Sequence, residues 1–503
     1  MGDREGNFKP HAIVIGSGFG GLAAAVRLGA RGYRVTVLEQ LDAPGGRAYV
    51  FRQDGFTFDA GPTIITAPFL LEDLWRLCGR RLQDDVELRS LQPFYRIRFN
   101  DGAILDVSDD DGAMAVQIGK FAPADLDGYR GFLKASEAIY DIAFTQLGHV
   151  PFDSLAAMWR LIPDLLRLRS YRSIYGLVSS FVENPRLRFA LSFHPLFVGG
   201  NPFTTTSIYG LIAFLERRWG VHFAMGGTGS IVTGLVNLIQ GQGNLVRYGA
   251  RVAGITLEGR RARGVRLTSG EELDSDIVVS NADAAMTYGN LLPAASHRRW
   301  NPRKLARAQY SMSLFVWYFG TSRQYPDVPH HTIMLGPRYQ ELLQDIFKRG
   351  ILADDFSLYL HRPTSTDPSL APAGCDAFYV LSPVPHLGGN NVDWGVMAEK
   401  YRRAIAAHLS ATLLPDLESH VVSSRIMTPV DFRDRLLSYQ GAAFGLAPAL
   451  TQSAWFRPHN RSEDIEHLYL VGAGTHPGAG VPGVLSSARV LDTVVPDAEF
   501  FPR

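Results

Sequence analysis

Hydrophobic and polar positions change their spacing several times along this chain, and each change predicts an element. In "HAIVIGSGFGGLAAAVRLGARGYRVTVLEQ" an apolar run, Ala12 to Ile15, is followed by glycines, then by Leu22 to Leu28 at helical spacing, then by the β-rich stretch Arg34 to Leu38. The pattern is that of a βαβ unit. A loop, "FTFDAGPTII", leads to a helix over Pro68 to Leu77 and a hairpin around "FNDGAIL", where Asn100, Asp101 and Gly102 supply turn chemistry. From Asp109 to Val221 the chain reads as mostly helical and apolar. Beyond it, "GGTGSIVTGLVNLIQ" predicts a helix, and the strands after it are joined by short glycine turns and end at Val278 to Asp283. Residues 301–445 mix strand-like runs, "SLFVWYFG", "FSLYLHR" and "AFYVLSPVPH", with a helix over Trp394 to Leu413. Leu468 to Val471 predicts a last strand, which enters a loop with five glycines from Gly472 to Gly483 and then a helix.

Length adds that 503 residues exceed one core, so roughly three domain-sized units, or two large ones, are expected. Charge adds little: the net value is +1 with no long charge block, which argues against a nucleic-acid partner. Cys78 and Cys375 are far apart, which excludes a CxxC metal or redox motif and suggests a reducing compartment; no metal site is expected. The polar start MGDREGNFKP predicts no export signal. No apolar run approaches the roughly 20 residues that span a bilayer.

The candidate chemistry lies in the glycines. Gly16, Gly18 and Gly21 form G-x-G-x-x-G between strand and helix: the first turns tightly, the second admits a pyrophosphate, the third lets the helix pack closely. Glu39 ends the second strand about 20 residues on, where an acid accepts from ribose hydroxyls, and no adjacent Arg favours a 2′-phosphate. FAD or NAD fits, NADP does not. "DAPGGRAYVF" then supplies Gly45, Gly46 and Arg47, which resemble the GG-motif of amine oxidase and protoporphyrinogen oxidase flavoproteins. That likeness implies FAD, with Arg47 supporting its phosphates. A second cofactor-facing loop is expected at Gly61, Pro62 and Thr63. The closing loop brings Gly472, Gly474 and Thr475 to the cofactor, with Gly472 to Gly474 leaving room beside pyrophosphate and ribityl chain. Pro482 and Gly483 then begin a helix whose positive end is aimed at the flavin.

With GSGFGG and PGGR, two further stretches, "LSFHPLFVGGNPF" and "VGAGTHPGAGVPGVLSSA", resemble bacterial phytoene desaturases, FAD-dependent carotenoid-forming flavoproteins, along nearly the whole chain. The resemblance implies an α/β fold: a glutathione-reductase-like, amine-oxidase-like FAD-binding Rossmann domain interleaved with a mixed α+β substrate domain. Cofactor segments are expected at 1–108, 226–300 and 451–503, and substrate segments at 109–225 and 301–450. The implied activity is successive desaturation of phytoene to neurosporene or lycopene, by hydride transfer to flavin N5 and proton loss, with oxygen or a quinone as terminal acceptor. The implied location is cytoplasmic, peripherally at the inner membrane. A later-step desaturase, an amine or protoporphyrinogen oxidase, a polyene isomerase, or a lipid-binding protein like the Rab GDP-dissociation inhibitors remain alternatives.

A hydrocarbon substrate needs an apolar tunnel. Trp159, Tyr175, Phe181, Phe189, Phe193, Phe197, Phe203, Phe214 and Trp219 offer either tunnel wall or ordinary core. In "LAAMWRLIPDLLRLRSYRSIYGLVSSF", Arg160, Asp164 and Arg167 fall on one face and Leu161, Leu165 and Leu168 on another; this helix either docks on anionic lipid or packs on the protein. No catalytic base is assigned. His194 and His476 are the candidate side chains, and Glu216 beside Arg217 and Arg218 reads as a salt-bridged helix face.

Overall fold

The structure, a computed structural model, describes residues 9–153, 155–293, 296 and 299–501. Two sheets organise it. The first is wholly parallel, with neighbours in the order Leu468–Leu470, Ile277–Ser280, His11–Ile15, Arg34–Leu38, Leu245–Arg247. His11–Ile15 is central and buried throughout, as an unbroken apolar strand must be when helices cover both faces. The helices Phe19–Ala30, Thr228–Gly241 and Val481–Val494 share a core with this sheet. Chain segments separated by more than 200 residues thus complete one α/β layer.

The second sheet has seven strands, in the order Val421–Met427, Ser313–Thr321, Asp376–Val384, Leu358–His361, His331–Met334, Tyr95–Arg98, Ile104–Val107. Ser313–Thr321 is buried along its whole length. Alternation sends Leu314, Val316 and Tyr318 into a core shared with the helices of the 109–221 segment, and Phe315, Trp317 and Phe319 into one shared with the helix Trp394–Thr412. A small antiparallel sheet, Val252–Glu258, Arg261–Leu267 and Glu272–Asp274, completes the middle of the chain.

Two expectations change. The hairpin Tyr95–Arg98 and Ile104–Val107 forms, but it pairs with His331–Met334 in the second sheet, so the segment 1–108 is divided between the two sheets. The hairpin's turn is local, whereas the sheet it joins is set by a pairing across more than 200 residues. The helix Leu155–Arg167 forms with Pro163 inside it, yet does not continue: Arg169 turns to a φ of 55° and a short separate helix, Ile174–Val178, follows. Among the described residues no helix is long and apolar enough to cross a membrane.

Candidate active site

Between the sheets lies a cavity of about 600 Å³ whose walls carry most of the glycines read as candidates. Gly16 takes a φ of +90°, which L side chains avoid, and a Cβ on Gly21 would overlap the Gly16 carbonyl oxygen. The helix therefore starts directly on the turn. Gly18 caps it without a side-chain hydrogen bond, so the first-turn amides are left for a ligand. Gly18 pairs with Gly45, and Gly46 lies so close that its added Cβ would come within 3.3 Å of the Gly18 Cα.

Glu39 is buried at the cavity edge. Its Oε2 accepts from the Ser17 amide at 2.9 Å and the Ser17 hydroxyl at 2.6 Å, and its Oε1 from the Leu41 amide at 2.9 Å. These bonds tie the second strand's end to the glycine loop and fix where the carboxylate's remaining lone pairs point.

Arg47 lines the cavity. Its Nε donates to the Ala443 carbonyl at 2.6 Å and its Nη2 to Ser438 Oγ at 3.0 Å, so these donors are spent on the chain rather than directed at a phosphate. Burial lowers its pKa, while the nearby Asp283 carboxylate opposes that shift; burial in turn raises Asp283, which also lines the cavity. The Arg47 bonds to Ala443 and Ser438 tie the GG loop to a distant segment. Gly61 lies against it, where a Cβ would overlap the Arg47 carbonyl. Thr63 does face the cavity and joins a hydroxyl cluster, with its Oγ1 2.7 Å from the Tyr379 hydroxyl and 3.1 Å from that of Tyr359.

The closing loop divides. Gly472 (φ +90°), His476 and Gly483 line the cavity, and the helix Val481–Val494 begins there with Gly480 as an N-cap lacking a side-chain bond. Gly474 and Thr475 do not. A Cβ on Gly474 would sit 2.7 Å from the Ala284 Cβ, and the buried Thr475 hydroxyl donates to the Pro458 carbonyl at 2.6 Å. Both make close contacts within the chain, Gly474 with Ala284 and Thr475 with Pro458.

Of the candidate histidines, His476 borders the cavity. Its Nε2 lies 3.1 Å from the Leu147 carbonyl, its ring packs at 4.6 Å on Phe152, and burial lowers its pKa to about 4. His194 sits behind the wall, 3% exposed and stacked on Phe193. Its Nε2 is 3.1 Å from the Tyr95 hydroxyl and 3.3 Å from Glu216 Oε2. Glu216 is thus no surface salt bridge: it is buried, accepts from Tyr95 at 2.8 Å, and leaves Arg217 to pair with Asp111. Periodicity hid this because the partner strand is distant in sequence.

Among the nine aromatics, Phe193 and Phe197 line the cavity. Phe181, Phe189 and Phe203 pack on the helical core, Tyr175 packs on Phe189 and Phe203, Phe214 packs beside the first sheet, and Trp219 lies at 4.7 Å on Phe69. Trp159 points outward, 71% exposed. Leu161 and Leu165 of the same helix line the cavity, which therefore runs from the glycine loops to this helix. The Arg160 side chain lies outside the described residues.

Sequence reasoning missed Asn281, whose side chain wedges among Gly16, Gly18 and Gly472, and the buried cluster of His330, His331 and His361. "VPHHTI" and "LYLHR" carried a signal: alternate positions of adjacent strands bring His331 opposite His361.

The family model described as flavin containing amine oxidoreductase matches residues 19–490. A phytoene desaturase (lycopene-forming) of Pseudescherichia vulneris is 52% identical, covering 96% of this chain and 98% of its own. A neurosporene-forming phytoene desaturase of Rhodobacter capsulatus is 48% identical, covering 97% and 94%. Among solved structures, a variant of putrescine oxidase superposes with a TM-score of 0.67 at 12% identity over 98% of this chain and 99% of its own. Cyclohexylamine oxidase from Brevibacterium oxydans gives 0.62 at 15% identity over 99% and 100%. The latter two share the fold of a flavoprotein oxidase. The chain belongs to the flavin containing amine oxidoreductase family and, within it, to the phytoene desaturases.

Proposed function

We propose that the protein binds FAD and desaturates phytoene in successive steps, giving neurosporene or lycopene. The carrying observation is the continuity of one apolar cavity, from the uncapped helix starts at Phe19 and Val481 to Leu161 and Leu165 at its far end. The cradle fits FAD: Gly18 and Gly46 leave no side chain where a pyrophosphate would pass, and the bound Glu39 carboxylate stands ready for a ribose. FAD, when bound, supplies the hydride acceptor. The chain's own part is to hold and orient. First-turn amides of Phe19–Ala30 hold phosphate charge, those of Val481–Val494 present a positive end to the cavity, and Phe193, Leu196 and Phe197 exclude water from an uncharged substrate.

The helix Leu155–Arg167 is proposed as the entrance from lipid. Trp159, Ile162 and Leu166 are exposed while Leu161 and Leu165 face the cavity, so one helix offers apolar surface both outward and inward. Such a protein works peripherally on the cytoplasmic side of the inner membrane, and oxygen or a membrane quinone accepts the electrons. The test is incubation of the FAD-loaded protein with phytoene and a quinone in liposomes. A coloured, conjugated product with two hydrogens lost per step is expected; absence of any conjugated product overturns the proposal.

A further inference from the structure

The hydroxyl cluster on the cavity wall continues into the second sheet. Tyr359 lines the cavity, and its hydroxyl lies 2.8 Å from Nδ1 of His331. His331 and His361 are register partners on adjacent antiparallel strands, with rings stacked at 5.2 Å. His361 Nε2 lies 3.1 Å from His330 Nε2, and His330 Nδ1 lies 2.6 Å from Thr366 Oγ1, on a residue that is only half-buried. One ring nitrogen of each histidine lies within 4.8 Å of one from each of the others, a span that a single water bridges.

Resting on the desaturase reading above, we propose that Tyr359, His331, His361, His330 and Thr366 form a proton path that carries the substrate's proton from the cavity to the surface. One tautomer pattern serves every bond. Tyr359 donates to His331 Nδ1; His331 carries its proton on Nε2 and hands it to His361 Nδ1 through one water that the path requires; His361 Nε2 donates to His330 Nε2; His330 Nδ1 donates to Thr366. The two ring nitrogens without a protein partner, His331 Nε2 and His361 Nδ1, are the two that this pattern assigns to the water. Burial lowers the pKa of all three rings, and their mutual proximity and Arg362 add to it, so they rest neutral and able to relay.

The step balances. As a hydride with its two electrons leaves one allylic carbon for the flavin, the neighbouring carbon loses a proton. The pair of that C–H bond becomes the second bond of the new double bond. The proton goes to the Tyr359 oxygen while the Tyr359 proton passes to His331, and each ring hands one proton onward until Thr366 releases one to bulk water. Tyr359 is the catalytic member; the histidines relay.

A metal centre is the competing use of three histidines. The Arg362 cation stands beside the set, paired with Asp376 at 2.9 Å, and His361 Nε2 and His330 Nε2 lie at hydrogen-bond distance from each other, 3.1 Å. The path is therefore favoured.

The test is anaerobic single turnover of the holoenzyme with phytoene in liposomes, following flavin bleaching and proton release to an indicator dye together. In the wild type the two coincide, and bleaching slows at least twofold in D₂O. Tyr359→Phe slows bleaching tenfold or more at unchanged FAD content. His361→Gln, or His330→Gln should the first fail to fold, cuts the path midway: proton release lags bleaching by tenfold or more, a lag that lost packing alone does not produce. Independently of turnover, ¹⁵N shifts of the labelled rings report Nε2–H on His331 and His361 and Nδ1–H on His330. Unlagged release in the histidine variants, wild-type bleaching in Tyr359→Phe, or a stoichiometric metal ion removable by chelator overturns the path. A wild type that bleaches with no substrate at all fails the desaturase reading instead.

Discussion

Glu39 holds three donors of its own chain, and this makes it an unusually exposed point of failure for one residue. Removing its carboxylate in Glu39→Ala leaves the buried Ser17 amide and the half-buried Leu41 amide unpartnered. An orphaned buried donor costs about 1–3 kcal/mol, and part of that falls on the loop proposed to cradle pyrophosphate. The dissociation constant of FAD is expected to rise about tenfold or more, measured by flavin fluorescence titration of the apoprotein; an unchanged constant removes Glu39 from the cofactor site. His476 makes a pH prediction at the same scale. Its folded pKa of about 4 lies below the ordinary 6.5, so the neutral ring is favoured by folding. Its contribution is complete above pH 6.5 and is lost as pH falls through 4. Urea unfolding at pH 7 and pH 5 is expected to show a drop in wild-type stability that is smaller in His476→Gln by on the order of 1–2 kcal/mol. An equal drop in both proteins contradicts the buried neutral assignment.

Elements that answer to local chemistry were legible before the structure. Proline at the helix start and glycine between strand and helix specify the helix Pro68–Leu77 and the turn at Gly16 through backbone geometry alone. The candidate site was legible to the same depth. Gly16, Gly18, Gly46, Gly61, Gly472 and Gly483 all stand at the cavity, because a glycine run records what the backbone must avoid. Gly474 shows the limit of that inference: its spacing could not say whether the crowding atom belongs to a ligand or to Ala284. Side-chain partners such as Arg47 with Ala443, or Glu216 with Tyr95, depend on elements far away and had no local signature. The helix Leu155–Arg167 gives a prediction at this scale. Trp159 and Leu166 are 71% and 60% exposed, so replacing both by Ser removes outward apolar area without touching a core. Vesicle flotation is expected to fall about tenfold with FAD content unchanged, since each lost apolar side chain forfeits roughly 1.5–3 kcal/mol of burial at most. Wild-type flotation excludes this helix as the lipid contact.

At the scale of the molecule, the two sheets meet around one cavity, so that the glycine loops and the apolar wall come from different layers. That arrangement could be anticipated only in outline. The alternating run of strands and helices implied interleaved layers, while the hairpin at Tyr95–Val107 joined the second sheet through non-local pairing with His331–Met334. Ile277–Ser280 is flanked on one side by the first strand of the chain and on the other by Leu468–Leu470. During synthesis, then, the cradle is expected to stay open until Leu468–Leu470 leaves the ribosome. Ribosome-stalled chains ending before Leu468 are expected to take up no FAD while presenting an unpaired apolar sheet edge to chaperones, and chains released at full length are expected to load at once. Flavin fluorescence on purified stalled complexes tests this. Loading of the cofactor is thereby expected to wait on translation of Leu468–Leu470.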